Sequence, residues 1–166
     1  RPPRSTQGVS SAASDVYKRQ ASMNEGEYIP STYDVAANHV ERYLATDGED
    51  GYEFHGVKCV ILTTKGRRTG AIRRSPIVKV CDGDRYLAVA SMGGAAKHPL
   101  WYLNLLANPE VTIQDKGEIH HLIARTATPA EKEELWPVAV AEWPDYENYQ
   151  KRTERDIPLV ICEHPS

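Results

Sequence analysis

The most unusual feature of the sequence is a cluster of positive charge between two apolar runs. The ten positions 65–74 hold five basic residues: Lys65, Arg67, Arg68, Arg73 and Arg74. The chain as a whole is acidic, with 20 Lys and Arg residues against 23 Asp and Glu residues. Three roles fit such a cluster: a solvated turn that keeps the protein soluble, a contact with nucleic acid, or a site for a small anion. Arginine suits the third role, because its guanidinium group binds phosphate and carboxylate groups through paired hydrogen bonds.

Binding to nucleic acid is disfavoured by the charge of the remaining chain. Residues 1–22 are rich in Ser, Pro and Arg, show no periodicity and precede Met23, the first methionine. We interpret them as a non-native or disordered tail, and residues 23–166 as a single domain. Removing the four basic residues and one acidic residue of this tail leaves 16 basic against 22 acidic residues. We therefore predict a small anionic ligand and no nucleic-acid partner.

Two other stretches could complete a ligand site. Residues 91–94, Ser-Met-Gly-Gly, follow a strand pattern, and their glycines would let a ligand lie against the backbone. Trp101 and Asn104 lie on the helical pattern that follows. Three aromatic residues further on are three positions apart, on one face of a helix: Trp143, Tyr146 and Tyr149. Such residues usually pack in a core, but they can also cover a flat ring, and a tyrosine can donate a phenolic proton.

Other kinds of chemistry lack their signatures. His120 and His121 are adjacent on a predicted strand and point to opposite faces, and no other ligand spacing occurs, so we predict no metal site. The sequence has neither G-x-S-x-G nor G-K-[ST]. The cysteines are odd in number and unpaired in spacing (Cys59, Cys81 and Cys162), which predicts free thiols and a cytoplasmic location. No apolar run approaches the roughly 20 residues of a membrane span.

Several regular elements must position these residues. Apolar runs at 57–64, 75–80 and 85–91 are joined by turns too short for parallel crossovers. Gly66 and Gly70 should supply positive φ in the first turn, and Asp82-Gly83 is a hairpin signal in the second. The remaining predicted elements are a helix over 31–45 capped by Ser31 or Thr32, a short helix from Leu100, a hairpin over 110–125 and a strand over 157–164. A further helix should begin with a capping box at Thr128 and Glu131, and Pro137 should kink or end it. The pattern predicts a mainly β (α+β) fold: a small antiparallel barrel of about six strands with a few flanking helices.

Four motifs together carry a family resemblance: LTTKGRRTGAIRRSP, DGDRYLAVASMGGAAKHPLWYLNLLANPEV, ARTATPAEKEELWP and YENYQKRTERDIPLVICE. From about Tyr28 to Glu163, the chain resembles the deazaflavin-dependent nitroreductase family, whose members use reduced coenzyme F-420 (F420). The resemblance implies a split antiparallel β-barrel akin to flavin-binding reductases. The cofactor carries the hydride chemistry, and the protein positions it.

The resemblance also implies roles for individual residues. The implied cofactor contacts are Arg67, Arg68 and Arg73 for the phosphate and glutamyl tail, Ser75, Pro76 and Ile77 beside the deazaflavin, and Trp101 and Asn104 on a second segment. The implied substrate-pocket residues are Trp143, Tyr146 and Tyr149, and Tyr146 or Ser91 would be the catalytic proton donor. The family often has Lys at the position of Met92, and Lys97 is the candidate to replace it.

The predicted activity is hydride transfer from reduced F420 to an electron-poor small molecule: a quinone, an enone or a nitro compound. Two alternatives remain open, an FMN-dependent oxidoreductase of similar barrel shape and a non-catalytic protein that binds a cofactor. The expected oligomeric state is a monomer or homodimer. Association with a membrane surface is a further hypothesis, because many quinones are lipids.

Overall fold

The computed structural model describes residues 26–166, so the interpretation of residues 1–22 lies outside the described part of the chain. The helices are α1 (Asp34–Ala45), α2 (Leu100–Ala107), α3 (Pro129–Glu142) and α4 (Asp145–Arg152). The strands are β1 (Glu53–Phe54), β2 (Val57–Lys65), β3 (Ile72–Val78), β4 (Cys81–Asp82), β5 (Arg85–Val89), β6 (Glu110–Asp115), β7 (Glu118–Thr126) and β8 (Leu159–Glu163). A 3-10 turn covers Met92–Gly94.

The strands form one curled antiparallel sheet in the order β1-β2-β6-β7-β8-β5-β4, with β3 paired to the other edge of β2. The predicted α+β split-barrel fold is therefore confirmed. The expected count of about six strands matches the six that have five or more residues. The other two, β1 and β4, are two residues long, and two residues are too few to produce a periodic sequence pattern.

Both faces of the sheet are covered. One cluster packs α2 against β2, β6 and β8 through residues such as Leu105, Leu62 and Ile113. A second cluster packs α3 and α4 against β5 and β8, with Leu135 and Ile161 near its centre. Alternation along β2 turns Leu62 toward the first cluster, whereas Ile61 contacts a third cluster beneath α1. Helix α1 packs on β3, helix α2 on β2, and helix α4 on the 3-10 turn at Met92–Gly94.

One prediction about a helix end is wrong, and a second loses one of its two alternatives. Helix α1 follows Tyr33 without a side-chain cap, and the Oγ of Ser31 accepts a hydrogen bond from the backbone N–H of Tyr33 instead (3.1 Å). Helix α3 has the predicted capping box at Thr128 and Glu131, but it does not end at Pro137. Pro137 lies on the exposed side of the helix, where water can hydrogen-bond the carbonyl group that the missing proline N–H leaves unpaired.

Candidate functional site

The basic turn is a compact loop between β2 and β3. The N–H of Gly66 donates to the carbonyl oxygen of Ala71 (2.7 Å), and the N–H of Gly70 donates to the carbonyl oxygen of Gly66 (3.0 Å). Gly70 has the predicted left-handed backbone, with φ of 73°, whereas the φ of Gly66 is not positive. The prediction for Gly66 was therefore wrong. Arg67 and Arg68, which lie between the two glycines, are exposed.

Asn104 of helix α2 forms hydrogen bonds that connect the helix to this turn. Its Oδ1 accepts the backbone N–H of Arg67 (3.1 Å), and its Nδ2 donates to the Oγ1 of Thr64 (3.4 Å). Asn104 is only 7% exposed, so both groups would lose a partner away from bulk water if the amide were removed. The side chain predicted as a cofactor contact thus has a positioning role as well.

Asn104→Ala is expected to lower the free energy of unfolding by about 1–3 kcal/mol, because it leaves buried polar groups unpaired. It should also weaken binding of any ligand held by the turn. Chemical denaturation and ligand titration measure the two effects. The control is Asn148→Ala, which removes an exposed bond to Asp145 (3.1 Å) and should change neither quantity. Equal effects from the two variants would contradict the positioning role of Asn104.

A cavity of about 580 Å³ opens beside the basic turn. The predicted cofactor residues that line it are Arg67, Arg68, Arg73, Ser75, Pro76, Trp101 and Asn104, and Arg74 lines it too. The described residues around it include no Asp or Glu. Arg74 is less available to a ligand, because its guanidinium group lies 4.7 Å from the ring centre of Tyr28. Burial lowers the pKa of Arg74. The uncompensated arginines would suit an anionic ligand in this basic cavity.

A second, largely apolar cavity of about 510 Å³ adjoins the first. Predicted site residues in its lining are Pro76, Ile77, Ser91, Trp101, Trp143, Tyr146 and Tyr149. Pro76, Trp101 and Met92 line both cavities, so the two spaces meet at these side chains. The sequence prediction thus selected residues that the structure brings together from β3, α2, α4 and the segment after β5.

Tyr146 combines deep burial with a place in the apolar cavity. It is 5% exposed, and burial, with smaller contributions from Tyr149 and Cys59, raises its pKa well above the usual range. The rings of Tyr146 and Tyr149 meet edge to face with centres 6.1 Å apart, and the hydroxyl of Tyr149 accepts the indole N–H of Trp143 (3.2 Å). A phenol with a raised pKa keeps its proton at neutral pH. The Tyr146 hydroxyl can therefore donate a hydrogen bond at neutral pH, although the raised pKa also makes it a weaker acid than a solvated tyrosine.

The glycines after β5 have two different uses. A Cβ at Gly93 would meet no atom within 4 Å, and this residue lines the apolar cavity, as expected for a close approach of ligand to backbone. At Gly94, a Cβ would come within 2.8 Å of the carbonyl oxygen of Tyr149. Gly94 therefore allows α4 to pack closely on the loop, and it serves this packing instead of a ligand.

Lys97 lies outside both cavities and is exposed, so the structure does not bring it to the other predicted contacts. The apolar cavity also includes residues that the sequence reasoning missed, among them His39, Phe54 and Cys59. The Nε2 of His39 donates to the carbonyl oxygen of Gly51 (2.7 Å), and its ring lies 4.7 Å from that of Phe54. These residues come from α1, β1 and β2, where their apolar pattern looks like ordinary core.

The three thiols should differ in reactivity. Burial raises the pKa of Cys59 to about 11 and that of Cys162 to about 12, whereas Cys81 is exposed. Because the thiolate is the reactive species, an aromatic disulfide reagent at pH 8 should titrate one thiol in the native protein and three after denaturation. Cys81→Ser should abolish the native reaction. A second thiol that reacts equally fast in the folded protein would contradict the burial of Cys59 and Cys162.

Comparison with known proteins gives consistent matches. Residues 35–164 match the family described as "F420H(2)-dependent quinone reductase". A Mycobacterium tuberculosis protein of that name is 35% identical over 127 residues, which cover 74% of this chain and 85% of the relative. A solved structure of an F420-H2 dependent reductase is 40% identical with a TM-score of 0.60 and covers 63% of this chain and 93% of its own. Another, described as a domain-swapped dimer, is 38% identical with a TM-score of 0.62 and covers 76% and 95%.

Proposed function

The chain belongs to the F420H(2)-dependent quinone reductase family, and we propose that it is an oxidoreductase that transfers a hydride from reduced F420 to a quinone. The predicted resemblance to F420-dependent reductases is confirmed by this membership. The observation that carries the proposal is the pairing of a basic cavity with an apolar one of about 510 Å³. The first suits an anionic tail and the second suits flat rings.

The donor set fits the cofactor. Arg67, Arg68 and Arg73 would hold the phosphate and glutamyl tail, since these arginines form no ion pair with any carboxylate among residues 26–166. Ser75, Pro76 and Ile77 follow on the same strand and would lie beside the deazaflavin. When bound, F420 supplies the hydride. The protein orients the ring against the acceptor and excludes water from the cavity.

The acceptor would lie in the apolar cavity against Trp143 and Tyr149. Hydride addition to a quinone places negative charge on an oxygen, which must be stabilised and protonated. Tyr146 and Ser91 bring hydroxyl groups to this cavity, and both are largely buried. We assign Tyr146 as the main proton donor, because a phenol is a stronger acid than the aliphatic hydroxyl of Ser91 even where burial raises its pKa.

The direct test mixes the purified protein with reduced F420 and menadione and follows the return of the deazaflavin absorbance. An enone and a nitro compound are assayed beside the quinone, with protein omitted as the control. Absence of oxidation above background with every acceptor would overturn the enzymatic proposal. Parallel titrations with F420, FMN and haem separate the alternatives. Tighter binding of FMN would favour an FMN-dependent enzyme, and tight F420 binding without turnover would favour a binding protein.

Location and assembly complete the proposal. We propose a cytoplasmic protein that is a monomer or homodimer and binds no nucleic acid, supported by free cysteines, an acidic composition and the dimeric solved relative. Among residues 26–166, no helix has the length and apolar character needed to cross a bilayer. Four exposed apolar side chains surround the cavities: Tyr33, Val35, Met92 and Leu100. They would suit contact with a membrane surface that carries a lipid quinone.

Flotation with liposomes tests the surface contact, and light scattering measures the oligomeric state. A quinone-bearing vesicle should carry a larger fraction of the wild-type protein than of the Leu100→Glu variant, because the charged group cannot enter the apolar interface. Equal flotation of the two proteins would remove the surface contact from the proposal.

A further inference from the structure

Arg155 lies behind the loop that forms one wall of the apolar cavity. Its guanidinium group donates from all three nitrogens to backbone carbonyl oxygens: Nε to Ala95 (2.8 Å), Nη1 to Ala90 (3.1 Å) and Nη2 to Ser91 (2.8 Å). It forms no ion pair with a carboxylate among residues 26–166. Arg155 thus holds the backbone at both ends of the Ser91–Gly94 loop, and only a planar fork of donors can reach all three carbonyl groups at once.

His98 completes the surroundings of this guanidinium group. Its Nδ1 lies 3.0 Å from the Nη1 of Arg155. Since a guanidinium group can only donate, Nδ1 must be the acceptor, and His98 is neutral in this arrangement. Burial and, secondarily, the charge of Arg155 lower the pKa of His98. Burial also lowers the pKa of Arg155, so the cation is held by neutral acceptors in a partly desolvated position.

The loop needs such support because its own backbone is strained. Met92 has φ of 48°, a left-handed conformation that side chains other than glycine rarely adopt. The hydrogen bonds within the loop join the N–H of Gly94 to Ser91 (2.9 Å) and the N–H of Ala95 to Met92 (3.1 Å). The same loop brings Ser91, Met92 and Gly93 to the apolar cavity.

We propose that Arg155 is a positioning residue of the acceptor site. By fixing the carbonyl groups of Ala90, Ser91 and Ala95, it sets the place of the Ser91 hydroxyl and of the Met92 side chain in the cavity wall. It touches neither the basic turn nor the arginines that would hold the cofactor tail. The kinetic part of this inference rests on the proposed quinone reductase activity, whereas the ordering of the loop does not.

The test compares Arg155→Lys with the wild type. Lysine keeps the charge but offers one nitrogen in place of a fork. We expect kcat/KM for menadione to fall about tenfold, as a small misplacement of the wall would cause, with the Kd of reduced F420 changed by less than about threefold. Hydrogen exchange of the amides of residues 91–95 should become about tenfold faster, while exchange in β5 and β8 is unchanged.

Chemical rescue and a matched control separate positioning from general stability. Millimolar guanidinium chloride should restore activity and loop protection to Arg155→Ala, and equal sodium chloride should not. The control is Arg152→Lys, because exposed Arg152 makes one long hydrogen bond to the carbonyl oxygen of Gly93 (3.4 Å) and a cation–π contact with Tyr149 (5.4 Å) that lysine can keep. We expect it to change kcat/KM by less than about twofold, since exposed contacts contribute little.

The possible negative results would overturn different parts of the inference. An inactive wild type would overturn the proposed function, and the exchange of residues 91–95 in Arg155→Lys would still decide the loop inference. Unchanged exchange at these residues, or equal loss of protection throughout the protein, would overturn the positioning role. So would variants too unstable to fold, or a Kd for F420 that rises as much as kcat/KM falls.

Discussion

Replacing Arg68 and Arg73 together by alanine is expected to weaken binding of reduced F420 about 100-fold at low ionic strength. Both side chains line the basic cavity, and no Asp or Glu of the described chain lines it with them. A charge-assisted hydrogen bond contributes about 1.5–3 kcal/mol, but Arg68 is exposed and Arg73 half-buried. Solvent screening reduces the combined loss to about 2.7 kcal/mol, which corresponds to the factor of 100.

Salt dependence makes this prediction specific. Because exposed charges are screened within about 10 Å at 0.1 M ionic strength, the difference between variant and wild type should shrink as salt is added. The control is Arg42→Ala with Lys58→Ala, which removes two charges that line neither cavity. It should leave the Kd of F420 within about twofold of the wild type. An unchanged Kd in the Arg68 and Arg73 variant would remove these arginines from the cofactor site.

Because residue 92 is methionine and not lysine, we expect cofactor binding to depend more on these arginines. The resemblance predicted Lys at this position, but Met92 places an apolar side chain where the two cavities meet. Arg74 stacks on Tyr28 and is less available. Lys97, the predicted replacement, is exposed and lines neither cavity. The positive charge available to the tail therefore comes mainly from the basic turn itself.

The sequence correctly predicted features that depend only on residues close together in the chain. The capping box at Thr128 and Glu131 needs residues three positions apart, and the tight turn at Asp82-Gly83 needs a residue that accepts positive φ (63° at Gly83). Both can be read from neighbouring residues. Short connections predicted the antiparallel pairs β2–β3, β4–β5 and β6–β7. They carried no information on the pairs β2–β6, β5–β8 and β7–β8, which join distant segments.

The missed residues depend on contacts between distant elements. His39 and Cys59 line the apolar cavity, but their sequence patterns match buried core, since cavity-facing and core-facing positions share the same periodicity. Arg155 lies in a charged stretch beside Lys151 and Arg152, and nothing in that stretch distinguishes a solvated arginine from one that holds three carbonyl groups. Only the close approach of the Ser91–Gly94 loop to α4 and the following segment gives Arg155 its role.

Tyr146→Phe is expected to lower kcat for menadione about 100-fold, within the usual contribution of a general acid. The change removes one oxygen atom and keeps the ring that packs against Trp136 and Tyr149, so the thermal unfolding midpoint and the Kd of F420 should stay near the wild-type values. Since burial raises the pKa of Tyr146 well above the usual range, the wild-type rate should show no alkaline decline from this group up to about pH 9. Stopped-flow measurement of a single turnover reports the step itself.

Variants that remove two neighbouring hydroxyl groups test whether Tyr146 is the proton donor. Tyr149→Phe removes the acceptor of the Trp143 indole N–H, which should disturb the cavity wall and raise KM more than it lowers kcat. Ser91→Ala should lower kcat less than Tyr146→Phe does, since an aliphatic hydroxyl is a far weaker acid than a phenol. If Ser91→Ala abolished turnover while Tyr146→Phe retained it, the donor would be Ser91, and Tyr146 would be a packing residue. In that event Arg155, which holds the Ser91 carbonyl group, would position the proton donor itself.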